Sequence, residues 1–128
     1  MSWTKYTRDH QWIRGESDGG LAVGITAFAA AQLGEIVSVE LPQVGSRIEH
    51  GDEAVVLESI KSVVEVPMPV SGVIVAANDV LAAEPQLLNE DPAGSGWLFK
   101  VRTDVSPAAE WLDEREYLAW VDAARAAE

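Results

Sequence analysis

Short runs of apolar residues, several alternating with polar ones, recur through most of the chain. Such runs are typical of half-buried β-strands, and the Gly and Pro residues between them are typical of turns. The predicted strands are an edge strand at 3–13, its hairpin partner at 21–25, and further strands at 36–41, 54–57, 63–66, 73–76 and 97–101, with a short segment opening at Ile48. Many short strands at short spacing predict a mainly β barrel or sandwich.

Two helical regions are predicted within the β-rich part of the chain. Thr26 is predicted to cap a short helix over 27–33, which Gly34 ends at the C′ position. Residues 78–88 are interrupted by a proline and predict at most one or two helical turns. The polar stretch 89–96 predicts a loop.

The C-terminal tail, about 106–127, is predicted to be helical and to pack on the β-structure. A serine-proline pair at 106–107 predicts the start of a short helix through Leu112. Asp113 and Glu116 then fit the spacing of a capping box, which would open a second helix. The apolar residues of this second helix form one stripe: Tyr117, Leu118, Trp120, Val121 and Ala124.

The chain is roughly symmetric around Lys61. On each side a β run leads outward to a proline, then to a glycine, then to another strand. A near-repeat with a hairpin at its centre predicts a flattened barrel built from two similar halves. With 128 residues, the chain is long enough for one core and too short for two ordinary ones, so we predict a single domain spanning 1–128.

The formal net charge is −12, from 21 acidic and 9 basic residues. Such a surface repels nucleic acid and anionic membranes, because binding to phosphate rests on lysine and arginine. Two interpretations of this negative charge stay open. The surface docks on basic patches of partner enzymes, or it is a generic acidic surface. No window reaches the length of a membrane span, and the first residues lack the apolar core of a secretory signal. We therefore expect a cytoplasmic protein.

Few side chains are suited to catalysis or to metal binding. The sequence has no cysteine, and its two histidines, His10 and His50, form no ligand-spaced cluster, so no thiolate or zinc site is expected. The serines near Lys61 have no plausible histidine partner, and the acidic pairs lack the spacing of a calcium loop. We expect neither a catalytic residue nor a metal. Any redox chemistry must then come from a group attached to the chain.

Lys61 lies between two strongly apolar β runs, within the polar stretch 58–62. We expect it at a hairpin tip in full solvent, where no burial adapts it to act as a catalytic base or to form a Schiff base. An amine in that position is accessible to a modifying enzyme. Most exposed lysines are nevertheless inert, so only the surrounding motifs can indicate that this one is modified.

Motifs along the chain occur in the order found in the glycine cleavage system H protein family. Glu-Ser-Ile-Lys-Ser at 58–62 resembles the lipoylation motif Glu-Ser-Val-Lys-(Ala/Ser) of that family, and Tyr-Thr-Arg-Asp-His-Gln-Trp at 6–12 resembles its opening Tyr-Thr-x-x-His-Glu-Trp. The other similar blocks are 23–26 with 33–37, 41–45, 69–72, and 89–92 with 96–98. The resemblance covers nearly the whole chain.

This resemblance implies a barrel-sandwich hybrid, the flattened β-barrel of lipoyl and biotinyl domains, with a short helix and a C-terminal helix. It also implies lipoate in amide linkage to Lys61, attached by a lipoate ligase or by an octanoyl or lipoyl transferase. Ile60 and Ser62 stand where a biotin carrier has methionines, which favours lipoate. The implied partners are a pyridoxal-phosphate glycine decarboxylase, a tetrahydrofolate-dependent aminomethyltransferase and a dihydrolipoyl dehydrogenase with FAD. The carrier would move an aminomethyl group between the first two and electrons to the third.

Roles for three further residues follow from the resemblance. Glu58 and Gly45 lie at positions that lipoate-attaching enzymes read in related domains; otherwise they are a charge beside a hairpin and a turn glycine. Gln11 stands in place of the usual Glu, and Ala27 in place of the usual Asp. The resemblance places that Glu near the lipoyl-lysine arm when the arm carries the aminomethyl group, where a carboxylate could hold the protonated amine. It therefore assigns Gln11 to the pocket that receives this arm.

Three hypotheses about function stay open at this point. The first is a carrier for glycine cleavage. The second is an H-like lipoate-binding carrier for another lipoate-dependent pathway, such as lipoate relay or oxidation of sulfur compounds, which the lost charge at Gln11 would suit. The third is a scaffold that has lost the modification, disfavoured by the intact lysine motif. The change at Gln11 is equally compatible with neutral drift at a surface position.

Overall fold

Two antiparallel sheets make up most of the structure, a computed structural model that describes residues 3–16, 19–103 and 111–126, with the side chains of the last helix described up to 123. The strands are β1 (Thr4–Tyr6), β2 (Gln11–Gly15), β3 (Leu21–Ile25), β4 (Ile36–Glu40), β5 (Arg47–Ile48), β6 (Glu53–Ser59), β7 (Val63–Pro67), β8 (Gly72–Ala77) and β9 (Phe99–Arg102). The helices are α1 (Ala27–Leu33), α2 (Val80–Ala83), α3 (Leu87–Glu90) and α4 (Glu114–Ala126). The predicted class, mainly β with a short helix and a C-terminal helix, is confirmed.

The two sheets enclose one hydrophobic core. The larger sheet has six strands in the order β1-β2-β3-β9-β8-β5, and the smaller has three in the order β4-β6-β7. Ile13 and Val23 of the larger sheet and Leu57 and Val66 of the smaller one belong to the same cluster of buried side chains. The β6–β7 hairpin of the smaller sheet is the part of the fold that positions Lys61.

The prediction of one edge strand over 3–13 is wrong, because the chain turns back between β1 and β2. The Thr7 hydroxyl accepts hydrogen bonds from the backbone N–H groups of Asp9 and Gln11, both at 3.3 Å. His10 has a φ of 63°, the left-handed region that ends an extended segment. A local hydroxyl–backbone bond of this kind competes with the strand ladder and creates the turn.

Helix α1 has the boundaries that its capping residues predict. The Thr26 side chain accepts a hydrogen bond from the Ala29 backbone N–H at 3.3 Å, and Gly34 ends the helix with a φ of 75°. Residues 78–88 contain the short helices α2 and the start of α3, in agreement with one or two helical turns. The loop predicted at 89–96 begins later, because α3 continues to Glu90. The last predicted strand also begins later, at Phe99.

The tail agrees with the prediction only in part. Asp113 and Glu116 form the predicted capping box, each accepting a hydrogen bond from the other's backbone N–H, at 2.8 and 3.0 Å. Leu112 forms a β-bridge to Tyr6 and is not helical. The Ser-Pro cap at 106–107 lies outside the described residues. None of the described helices is long and apolar enough to cross a membrane.

The predicted apolar stripe of α4 is only partly buried. Tyr117 and Val121 pack in a small cluster with Leu112, at 5% and 6% exposure, whereas Leu118 and Trp120 are 54% and 39% exposed. The first pair occupies one line along the helix, and Leu118 and Trp120 lie on either side of it. The contact between α4 and the rest of the fold is therefore narrower than the sequence stripe predicts.

Candidate functional site

Lys61 lies in the connection between β6 and β7, where Glu58 pairs with Val63 and only Ile60 to Ser62 lie outside the two strands. The side chain of Lys61 is exposed, as predicted. Its neighbours Ile60 and Val63 are also exposed, at 66% and 65%. The tip therefore presents a primary amine between two apolar side chains that the protein itself does not cover.

The hydroxyl of Ser59 organises the backbone of this tip. Its oxygen accepts hydrogen bonds from the backbone N–H groups of Lys61 and Ser62, both at 3.1 Å, and its O–H donates to the Ser62 carbonyl at 3.3 Å. Ser59 is only 7% exposed. Sequence reasoning tested this serine as a nucleophile and missed its structural role. The signal was available, because serine in a turn commonly bonds backbone groups a few residues ahead.

The tip rests on the connection that joins α1 to β4. The Ile60 backbone N–H donates to the Glu35 carbonyl at 3.1 Å. A methyl group placed on Gly34 would lie 3.4 Å from Cε of Lys61, so the aliphatic part of the lysine passes over this glycine. The absence of a side chain at Gly34 leaves room for the lysine, and the positive φ there is one that glycine adopts at little cost.

Three exposed carboxylates, Glu35, Glu58 and Glu65, lie on the segments that form or support the hairpin. Lys61 takes no part in the ion pairs Arg47–Glu49 and Lys100–Glu16, and no carboxylate of the described residues holds its amine. The amine is therefore free to enter the active site of a modifying enzyme.

A groove of about 500 Å³ begins beside Leu33 and runs between α1 and β7; we call it the hairpin groove. Its apolar wall includes Leu33, Leu57 and Val64, and its polar rim includes Arg8, Asp9 and Glu65. It can accept an apolar chain along its length.

His10 also lines the hairpin groove and connects it to α4. Its Nδ1 atom is 2.8 Å from the hydroxyl of Tyr117, which is in turn 2.7 Å from the Thr26 hydroxyl. Its ring lies 4.7 Å from that of Phe28. Burial lowers the pKa of His10, and the charge of Asp9 opposes that shift. The turn, the cap of α1 and the last helix thus meet at one hydrogen-bonded cluster.

Gln11 is buried, at 1% exposure, and the surface position assumed for neutral drift is therefore wrong. Its Oε1 accepts a hydrogen bond from the Thr7 hydroxyl at 3.0 Å, and its Nε2 donates to the Pro67 carbonyl. Pro67 is at the end of β7 opposite the tip, about 13 Å along the strand from Val63 at ~3.3 Å per residue. The structure therefore places Gln11 at the base of the hairpin, facing a cavity of about 300 Å³.

Glu58 and Gly45 occupy different parts of the fold. Glu58 is exposed on β6 and pairs with Val63, directly below the tip. Gly45 lies in the loop between β4 and β5, with a φ of 93°, and its backbone N–H donates to the Ile74 carbonyl of β8 at 2.8 Å. The structure thus brings Glu58, but not Gly45, next to Lys61.

A mainly β fold of two sheets, with an exposed lysine at the tip of a short hairpin, defines a carrier domain of the lipoyl and biotinyl class. Within the described ranges, no group of three or more His, Asp or Glu side chains could hold a metal ion.

The comparisons with known proteins identify the family. A family model described as "Glycine cleavage H-protein" matches residues 4–123. The glycine cleavage system H proteins of Cronobacter sakazakii and Shigella dysenteriae are each 44% identical to the chain over 119 residues, 92% of this chain and 92% of the relative. The crystal structure of a glycine cleavage system H protein from Mycobacterium marinum superposes with a TM-score of 0.84 at 36% identity, covering 93% of this chain and 96% of that one.

The chain belongs to the glycine cleavage H-protein family. It is a lipoyl carrier of glycine cleavage and a non-catalytic component of that system. Of the three hypotheses open from the sequence, the first is confirmed.

Proposed function

We propose that Lys61 is the lipoyl attachment residue and that the chain works in the cytoplasm as a shuttle between the glycine cleavage enzymes. The exposure of Lys61 at the hairpin tip, within the Glu-Ser-Ile-Lys-Ser motif, is the observation that supports this most directly. When bound, lipoate supplies a dithiolane whose disulfide accepts the aminomethyl group from glycine and whose dithiol form is reoxidised by a flavin dehydrogenase.

The chain's own residues hold and present the attachment point. Ser59 and the Glu35 carbonyl fix the backbone on either side of Lys61, while its side chain remains free. Amide formation removes the positive charge of the lysine. The lipoyl-lysine arm can therefore lie along Leu33 and Val64 in the hairpin groove at low electrostatic cost. The proposed site therefore has a fixed attachment point and a mobile arm.

The rim of the hairpin groove offers two carboxylates to a protonated amine. Asp9 and Glu65 both line it, beside the cation Arg8. Because these side chains are exposed, a carboxylate–ammonium contact there contributes about 0.2–1 kcal/mol. These residues could supply the charge that Gln11 lacks. Gln11 itself, if it contributes to the arm pocket, does so as a neutral amide at the base of β7.

The proposed partners are the decarboxylase, the aminomethyltransferase and the dihydrolipoyl dehydrogenase, together with the lipoate ligase or transferase that modifies Lys61. Glu58 is a suitable contact for the modifying enzyme, because it is exposed directly below the tip. Gly45 can act in recognition only if that enzyme reaches the β4–β5 loop as well, since Gly45 is anchored to β8.

Intact-mass measurement of the purified protein after incubation with a lipoate ligase, lipoate and ATP tests the attachment. We expect the mass to rise by roughly 190 Da, as for one covalent acyl group, and peptide mapping to place it on Lys61. The matched variants Lys61→Arg and Lys61→Ala should gain no mass, yet change the free energy of unfolding by less than about 0.5 kcal/mol, because the side chain is exposed and forms no ion pair. Modification of Lys61→Arg to the same extent would contradict the proposal.

A further inference from the structure

Asn89 contacts the connection that supports the lysine hairpin although it lies on α3, 28 positions further along the sequence than Lys61. Its Nδ2 donates to the Gly34 carbonyl at 2.7 Å, and its Oδ1 accepts from the Ile36 backbone N–H at 3.0 Å. A carbonyl can only accept and a backbone N–H can only donate, so the two partners fix the orientation of the amide. One side chain thus satisfies two backbone groups of the α1–β4 connection.

The residue between those two partners is the one that supports the tip. Glu35 lies between Gly34 and Ile36, and its carbonyl accepts the hydrogen bond from the Ile60 backbone N–H. Gly34 lies under Cε of Lys61. The three-residue connection is therefore held by Asn89 at its ends and bonded to the hairpin at its middle.

The glycine in this connection makes an external support useful. Gly34 has ended α1, β4 begins at Ile36, and glycine samples more backbone conformations than any other residue. A side chain that bonds both sides of this point removes that freedom. The same restraint passes to Ile60 and hence to the lysine next to it.

We propose that Asn89 is a positioning residue for the modification of Lys61: it fixes the support of the hairpin tip and so the orientation in which the modifying enzyme meets the lysine. The proposal rests on the proposed attachment of lipoate to Lys61. Asn89 does not touch the amine, and it acts through Gly34, Glu35 and Ile60.

Asn78 offers a matched control. Its Nδ2 also donates to two backbone carbonyls, those of Ser95 and Trp97, both at 2.8 Å, and it is 6% exposed. It ties together the loop before β9 and makes none of the contacts that support the tip. Because Asn78 is the more buried of the two, Asn78→Ala should cost at least as much stability as Asn89→Ala.

The test uses the full apo protein and two measurements on the wild type, Asn89→Ala and Asn78→Ala. Hydrogen exchange should show the Ile60 amide of Asn89→Ala exchanging about tenfold faster than in the wild type, with no change in Asn78→Ala. With a lipoate ligase, lipoate and ATP, kcat/KM for Asn89→Ala should fall about five- to tenfold, mainly through KM, as expected for the loss of one or two hydrogen bonds. Asn78→Ala should keep the wild-type value.

Two results would overturn the role of Asn89. One is Asn89→Ala with kcat/KM within twofold of the wild type and unchanged exchange at Ile60. The other is an equal loss of kcat/KM in Asn78→Ala, which would show that general destabilisation causes the effect. Failure of the attachment itself looks different, because wild-type protein would then gain no mass, and exchange at Ile60 would still decide whether Asn89 fixes the tip.

Discussion

Ser59 and Lys61 stand two positions apart and contribute to the site in different ways. The lysine was predicted correctly as an exposed tip residue, since two apolar runs on either side of a short polar stretch define a hairpin. The serine was not predicted as a support, because its role depends on how the turn closes around its hydroxyl. At this scale the sequence shows which residue is presented and the structure shows how it is held.

Replacing Ser59 should loosen the tip. In Ser59→Ala, the backbone N–H groups of Lys61 and Ser62 lose their acceptor, and we expect the free energy of unfolding to fall by about 1 kcal/mol. Urea denaturation measures this loss. Ser62→Ala is the control, because Ser62 is exposed and the bonds that it makes here use its backbone. An equal loss in both variants would mean that the hydroxyl of Ser59 is not what matters.

The elements that were predicted correctly are those whose limits are set by neighbours in the sequence. Helix α1 lies between Thr26 and Gly34 and α4 begins at the Asp113–Glu116 box, as local capping rules predict. The turn that divides residues 3–13 was missed, because its cause is one threonine hydroxyl inside a strand-like pattern. The two hydrogen bonds from Asn89 to the α1–β4 connection join segments far apart in sequence, so no local pattern reveals them.

At the junction of the β1–β2 turn with α4, stability should depend on the charge of His10. Burial lowers the pKa of His10 below its ordinary value of 6.5, so the folded protein binds that proton more weakly than the unfolded chain does. The stabilising contribution of the neutral ring is complete above pH 6.5 and is lost as the pH falls towards the folded pKa. Acid therefore lowers the stability of this junction, because burial disfavours the charged ring.

The comparison of wild type with His10→Asn measures this contribution. Asparagine tolerates the positive φ found at this position and does not titrate. Between pH 7.5 and 5.5, we expect the free energy of unfolding to fall more steeply in the wild type than in the variant. Identical slopes would assign the acid sensitivity to carboxylates instead.

For the whole molecule, the net charge of −12 decides how partners are approached. Charge of one sign accelerates encounter with a basic surface and is screened by salt, since the Debye length falls from about 30 Å at 0.01 M to about 10 Å at 0.1 M. The exposed carboxylates of Glu35, Glu58 and Glu65 place part of that charge on the lysine hairpin and on the connection that supports it. This favours docking on basic patches over a generic acidic surface.

Association with the aminomethyltransferase should therefore depend on salt mainly in its rate. We expect the association rate constant to fall at least tenfold between 0.01 and 0.3 M salt, with a much smaller change in the dissociation rate constant. Stopped-flow measurements separate the two constants. Ile60→Ser is the contrasting variant, because the loss of an exposed apolar contact should speed dissociation and leave the salt dependence of association intact. A salt-independent association rate constant would show that the negative charge is a generic acidic surface and does not guide docking on basic patches.

The tight closure of the β6–β7 connection has a geometric consequence for delivery. Since the backbone at Lys61 is bonded on both sides, lipoate attached there, as proposed, would sweep a region with a fixed centre, and the length of the side chain and cofactor would set its radius. A longer connection would enlarge that region but move its centre from moment to moment. Every enzyme that receives the proposed arm would then meet it from a single point of origin.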